Sequence, residues 1–344
     1  MTPPFLGHST LRHALLGALT EGRLHHALLF EGSEGVGRTT LARWLMARAN
    51  CAAASGLEPC GVCSACRRIE AGTHPDMHLV TPEGSSIQVA RIREVVRALG
   101  YHRHDATHRF VVIEPAEAMA APASNALLKT LEEPPPDTHF ILIARHASGL
   151  LPTIVSRCQR HRLAPVDDDT LAAWLTAQGI DDVTRRVRAA EGAPGRALAL
   201  SAEVLADTDA VRDRLLAALS GDLSSIFDLA EQLTEGKGAE RRAGGARALD
   251  LLEEWMADVV RLAASPPIAL RHEAIRPRLE AWHGALWPRG VERCVASLAD
   301  ARAALAANVA PRTVLDALLT AVATELGNAR SAPSSAPVTR SEPT

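Results

Sequence analysis

The chain has 344 residues, 47% of them hydrophobic and 22% charged, with a formal net charge of −3. That length allows two or three domains, and the composition excludes a disordered or fibrous chain. The near-neutral charge argues against a protein that coats nucleic acid by bulk electrostatics, while leaving room for a local basic groove.

The N-terminus shows no basic region followed by a sustained apolar run. No segment reaches the roughly 18 consecutive apolar residues of a membrane span. No membrane association is expected, and the expected location is the cytoplasm. The basic residues are almost all arginine, with lysine only at Lys129 and Lys237.

Leu11, Leu15, Ala18 and Leu19 recur at helical spacing and predict an amphipathic helix. A short apolar strand, 27–30, then runs into EGSEGVGRTT, Glu31 to Thr40. Gly32, Gly35 and Gly37 stand where a strand-loop-helix P-loop needs glycine, so that backbone N–H groups can cradle phosphate oxygens at a helix N-terminus. Thr39 and Thr40 follow, and Thr39 is the Mg²⁺-binding hydroxyl of the pattern. The pattern is met at every fixed position except the lysine, which here is Arg38. Leu41, Trp44 and Leu45 give the following helix its buried face.

Cys51, Cys60, Cys63 and Cys66 come next, spaced so that two-residue gaps point neighbouring sulfurs at one ion. Four thiolates in this arrangement can close a tetrahedron around a structural Zn²⁺; the alternatives are small buried thiols or a redox pair. His74 begins a turn into a strand ending near Val80, and Ile92, Val95, Val96 and Leu99 mark one helical stripe. The strand 110–113 ends in Glu114-Pro115. A hydrolytic P-loop protein carries its acid pair there, one carboxylate for the metal and one to polarise water, and Pro115 cannot act as a base.

The helix NALLKTLEE, Asn125 to Glu133, is closed by three prolines. A strand at 139–144, a loop containing Pro152, the tripeptide Ser156-Arg157-Cys158 and an alternating stretch around Leu163 follow. Beyond that the pattern is helical. Leu171, Trp174 and Leu175 form one helix ended by Gly179, and GAPGRALAL, Gly192 to Leu200, opens another. GKGAERRAGGAR, Gly236 to Arg247, is expected to be a solvated connector. Leu252, Trp255, Met256, Val259 and Val260 form a broad apolar face. The last residues, 329–344, cannot bury apolar surface and predict a disordered tail.

NALLKTLEEPP, the Ser156-Arg157-Cys158 tripeptide and the four-cysteine insert together resemble the AAA+ clamp-loader ATPase family of bacterial DNA polymerase III. The resemblance implies an α/β P-loop (AAA+) domain with a zinc module over 1–165, a helical lid over 166–205 and an all-helical collar domain over 206–328. It gives Arg157 the role of an arginine finger reaching a neighbouring subunit's nucleotide. By the same resemblance Arg196 stands near the sensor-2 position; the alternative is an exposed arginine at a helix start.

The family includes motor subunits (gamma or tau) and a non-hydrolysing stator. Arg38, Glu114-Pro115 and Arg145-His146, the last where a polar sensor is expected, depart from the motor pattern. The expectation is therefore a stator that holds nucleotide weakly or not at all and completes a ring with motor subunits and the delta subunit. Through that complex it would serve the sliding beta-clamp and primer-template DNA. The alternative is an autonomous ATPase in which Arg38 replaces lysine.

Overall fold

Short apolar runs without polar alternation give strands buried on both faces, and such strands pair in parallel between layers of helices. The computed structural model describes residues 5–331 apart from 85, 237, 266, 267 and 269. Its strands are β1 (Ala27–Glu31), β2 (Met77–Val80), β3 (Arg109–Ile113), β4 (Thr138–Ala144) and β5 (Gln159–Arg162), in the spatial order β2-β3-β4-β1-β5. All pairs are parallel, and Phe140 in β4 is flanked by Ala27 and Val111. The inner strands β1, β3 and β4 are buried along their whole length.

Helices α1 (Ser9–Thr20) and α2 (Arg38–Asn50) cover one face through Leu15, Leu41 and Leu45 against Phe30, Phe110 and Ile141. After α3 (Ser64–Glu70), helices α4 (Val89–Leu99) and α5 (Ala121–Glu132) cover the other, with Ile92, Val95 and Leu127 against Val111 and Leu142. The one-turn helix α6 (Pro152–Val155) precedes β5. Three further helices, α7 (Asp168–Ala177), α8 (Val183–Ala190) and α9 (Pro194–Ala199), share a small core of Leu171, Leu175, Val187, Ala190 and Ala197. Asp167 caps α7 by accepting the Thr170 N–H at 2.8 Å.

Buried arginines close loops in this unit. Arg109 donates to the carbonyls of Leu99 (2.9 Å) and Tyr101 (3.0 Å), and Arg186 to those of Asp181 (2.7 Å) and Ala197 (2.9 Å).

A first compact unit ends at Ala199 and a second begins at Leu200. The second is helical throughout its described residues. It comprises α10 (Ala202–Ala218), α11 (Leu223–Leu233), α12 (Ala239–Arg261), α13 (Arg276–Leu286), α14 (Arg289–Ala306) and α15 (Pro311–Ser331), packed around the fully buried Trp255. The buried Asp258 accepts the N–H groups of Arg271 (3.0 Å) and His272 (2.9 Å) and so fixes the turn after α12.

Four sequence expectations need correction. Pro152 opens α6 instead of lying in a loop, at the helical position where a missing N–H costs nothing. The last strand stops at Arg162; Leu163 still donates to the Glu31 carbonyl at 2.7 Å but turns into the core. Val260 is 45% exposed, so the apolar face of α12 is narrower than expected. The supposed connector 236–247 is, from Ala239 on, the first two turns of α12, because its Ala, Arg and Glu residues favour helix. Its glycines serve packing: a Cβ on Gly244 would lie 1.9 Å from the Leu233 carbonyl oxygen. Of the expected tail, the stretch beyond Ser331 lies outside the described residues.

Gly244→Ala should therefore lower the stability of the second unit by about 2–3 kcal/mol, since backbone and not a flexible side chain must give way. Denaturant unfolding checks this, and an unchanged midpoint would contradict it.

The N-terminal ends of the strands carry histidines. His139 Nδ1 donates to the His25 carbonyl at 3.2 Å, which leaves its Nε2 to accept from His108 Nδ1, also at 3.2 Å. Burial pushes His139 down to about 4. A depressed folded-state pKa means that the unfolded chain takes up the proton first. The stability His139 supports is thus complete above about pH 6.5 and is lost as the pH falls towards 4, by ~2–3 kcal/mol. His139→Gln should make the fall in melting temperature between pH 6.5 and 4.5 shallower than in the unmodified chain.

Candidate functional site

β1 ends at Glu31, whose buried carboxylate is held between the Ala147 N–H (3.0 Å) and Arg160 (2.8 Å). The chain then turns through Gly32, Gly35 and Gly37 into α2, as the P-loop pattern requires. Gly35 and Gly37 have φ values of +79° and +107°, a region that side chains disfavour. Each is also covered: a Cβ would come within 2.6 Å of the Arg196 N–H nitrogen at Gly35 and within 3.0 Å of the Phe5 ring at Gly37.

Two segments cover the loop. At the start of α9, the Gly195 N–H donates to the Gly35 carbonyl at 2.8 Å. On the other side lies the N-terminal segment, with Phe5 on the core beneath the loop and Leu6 on the core shared by α7, α8 and α9. What remains is a cavity of about 250 Å³, lined by Gly35, Arg38, Thr39, Thr40 and Glu114 on one side and by Phe5, Trp174 and Leu198 on the other. Nucleotide-sized ligands ordinarily occupy ~300 Å³ or more.

Charges within the loop region are satisfied internally. The Thr39 hydroxyl donates to Glu114 Oε1 at 2.5 Å, so the group that would face a metal is already engaged by the acid at the end of β3. Burial pulls the Arg38 pKa below its ordinary value, opposed by Glu114, Glu117 and Glu34 and reinforced by Arg145. Arg145 pairs with Glu34, and its backbone N–H donates to Glu117. The sequence-predicted residues Gly32, Gly35, Gly37, Arg38, Thr39 and Thr40 thus come together. Arg196 does not join them through its side chain, which turns to Glu191 at 2.9 Å while its backbone abuts Gly35.

Arg157 lies elsewhere. It follows α6, pairs with Glu132 at the end of α5 and donates to the Thr153 carbonyl at 2.9 Å. It lines a separate, open hollow with His25, His26 and Gln159, and no residue of that hollow lines the loop cavity. Lys129, on α5, is exposed.

The four cysteines converge. Cys51, Cys60, Cys63 and Cys66 offer sulfurs that all lie within 4.8 Å of one another. Tetrahedral thiolate coordination would set them about 3.7 Å apart. Backbone N–H groups already point at three of them: Cys60 N–H to Cys51 (3.1 Å), Cys63 N–H to Cys60 (3.4 Å) and Cys66 N–H to Cys63 (3.5 Å). The Cys66 N–H is foremost in drawing Cys63 down to about 6, whereas burial pushes Cys66 up to about 12, with a further rise from the neighbouring Cys51. Such a group favours a cation at its centre, and the donor set fits a metal ion.

Two features escaped sequence reasoning. The N-terminal cover of Phe5 and Leu6 left no signal beyond two apolar residues before a helix. Arg12 drew no reading from the sequence, yet it is buried.

A family model described as DNA polymerase III, delta subunit, matches residues 7–167. DNA polymerase III subunit delta' of Escherichia coli is 36% identical over 223 residues, covering 62% of this chain and 66% of that protein. Subunit delta' of Yersinia pestis is 36% identical over 245 residues, covering 66% of this chain and 69% of that protein. Subunit tau of Escherichia coli is 33% identical over 258 residues, covering 72% of this chain but 39% of that protein. The matches thus span about two thirds of the length of these two delta' relatives, and 53% of the length of subunit delta' of Bacillus subtilis.

The metal expectation is checked by element analysis. Purified protein should carry about one equivalent of metal per chain, and Cys63→Ser should lose most of it. A metal-free protein with native unfolding behaviour would remove the site.

Proposed function

Because the chain belongs to the delta' family of DNA polymerase III subunits, we propose that it is the non-hydrolysing stator of a clamp loader. The observation that carries this reading is the hydrogen bond from Thr39 to Glu114 beside Pro115. The hydroxyl that would bind Mg²⁺ is committed to the acid, and proline stands where a water-polarising base belongs. The small cavity and Arg38 support the same conclusion, since a planar guanidinium fits poorly where a P-loop accommodates a compact ammonium.

In this proposal Arg157 acts in trans. It sits on an open hollow away from the chain's own loop, and its pairing with the half-exposed Glu132 is worth at most ~1 kcal/mol. It can therefore be exchanged for the γ-phosphate of a neighbouring motor subunit, where it would neutralise charge developing in phosphoryl transfer. The neighbours are gamma or tau motor subunits and the delta subunit, and the assembly loads the sliding beta-clamp onto primer-template DNA in the cytoplasm. Helices α7, α8 and α9 would be the lid and the second unit the collar. The ion held by the four cysteines is Zn²⁺, a structural cofactor.

The similarity to subunit tau motivates a second reading, an autonomous ATPase. Turnover assays separate the two. The isolated chain should show no ATP hydrolysis above background. In a complex reconstituted with motor and delta subunits, Arg157→Ala should lower clamp- and DNA-dependent ATP turnover by at least about tenfold without preventing assembly. Hydrolysis by the isolated chain that Thr39→Ala abolishes would sink the stator reading, and full turnover with Arg157→Ala would remove the arginine finger.

A further inference from the structure

The loop cover and the cysteine module are joined by one buried side chain. The guanidinium of Arg12, in the first turns of α1, lies between two aromatic rings, 5.3 Å from the centre of Phe5 and 4.8 Å from that of Trp44. One of its nitrogens reaches Glu58 at 2.5 Å, and its Nε is buried without a hydrogen-bond partner. Glu58 belongs to the turn between Cys51 and Cys60, where Ser55 and Glu58 exchange backbone hydrogen bonds of 3.2 and 3.1 Å. Helix α2 grips that turn as well: Trp44 Nε1 donates to the Leu57 carbonyl at 2.8 Å and Arg48 Nε to that of Gly56 at 3.1 Å. At the other end of the chain of contacts, Phe5 rests on Gly37.

We propose that the four-cysteine module, acting through Glu58 and Arg12, keeps the N-terminal segment seated over the P-loop, so that the metal-loaded state of the module controls access to that loop. The Arg12 guanidinium is buried and needs an anion, and here the anion is Glu58, 65% exposed, on a turn whose two ends are metal-ligand positions. When the ligands hold an ion, the turn presents Glu58 at a fixed place. When they do not, the turn loses its closure, Arg12 loses its counter-charge and the cation is drawn towards water. Phe5 then loses the guanidinium packed on its ring, and with it a contact that holds it on Gly37. Arg12 is a positioning residue in this scheme, and the inference stands whether or not the chain is a stator.

Hydrogen–deuterium exchange on the full chain tests the coupling, read on peptides covering 5–16 and 32–40. Glu58→Gln keeps all four cysteines, and element analysis should show that it keeps its metal. Its amides over 5–16 should exchange about tenfold faster than those of the unmodified chain. Metal removal by chelator should produce at least as large an effect in the unmodified chain. Arg12→Met keeps an adaptable apolar side chain between the two rings but needs no counter-ion. In that background neither chelation nor Glu58→Gln should alter exchange over 5–16 by more than about twofold, the non-additivity expected of a true pair. Unchanged exchange in metal-loaded Glu58→Gln overturns the proposal. So does an effect of Glu58→Gln that persists in full when Arg12 is methionine, because a merely structural turn would behave that way.

Discussion

The contact on which the first unit turns is the 2.8 Å hydrogen bond from the Gly195 N–H to the Gly35 carbonyl. Two backbones can approach so closely because neither residue has a side chain; a Cβ on Gly195 would lie 3.0 Å from that same carbonyl oxygen. The approach seats the start of α9 on the phosphate-type loop, sets the height of the cavity and directs the Arg196 side chain away to Glu191. That contact leaves little room above the loop.

It also explains why the glycine pattern survives beside an altered chemistry. A Cβ at Gly32, Gly35 or Gly37 would meet the Leu163 carbonyl, the Arg196 backbone or the Phe5 ring. Each glycine is needed for packing within the unit, independently of any phosphate. Arg38 and Pro115 can differ from a hydrolytic pattern without disturbing the turn, and the carboxylates and arginines around them neutralise one another.

Much of this could be read from residue order. The buried strands announced themselves as apolar runs, the loop by its three glycines, and the cysteine module by its spacing, because each rests on local geometry that a short stretch encodes. Arg157 is singled out only by the resemblance around it, since an arginine near a strand gives no sign of which surface it serves. The rest depended on distant pairings. Gly244 reads as a flexible linker residue until Leu233 is placed against it. Phe5 and Arg12 gain their meaning from Gly37, Trp44 and Glu58, and no periodicity links those positions. Glycine and arginine are the least legible residues here, because a turn, a tight packing contact and a solvated linker share one composition.

The buried arginines that bridge carbonyls have a consequence for how the chain is held together. By gripping Leu99 and Tyr101 at once, Arg109 closes the segment that precedes it into a ring, and Arg186 does the same for the stretch between Asp181 and Ala197. A planar fork makes such a cross-link with its donors held in a fixed geometry, whereas the donors of a lysine ammonium rotate on one small head. Loop closure of this kind exists only in the folded state, so it leaves the unfolded chain's freedom untouched and asks for no oxidant. None of the six cysteines is in a disulfide, so these two loops are closed by arginine hydrogen bonds alone, and the four clustered sulfurs stay available to a metal ion.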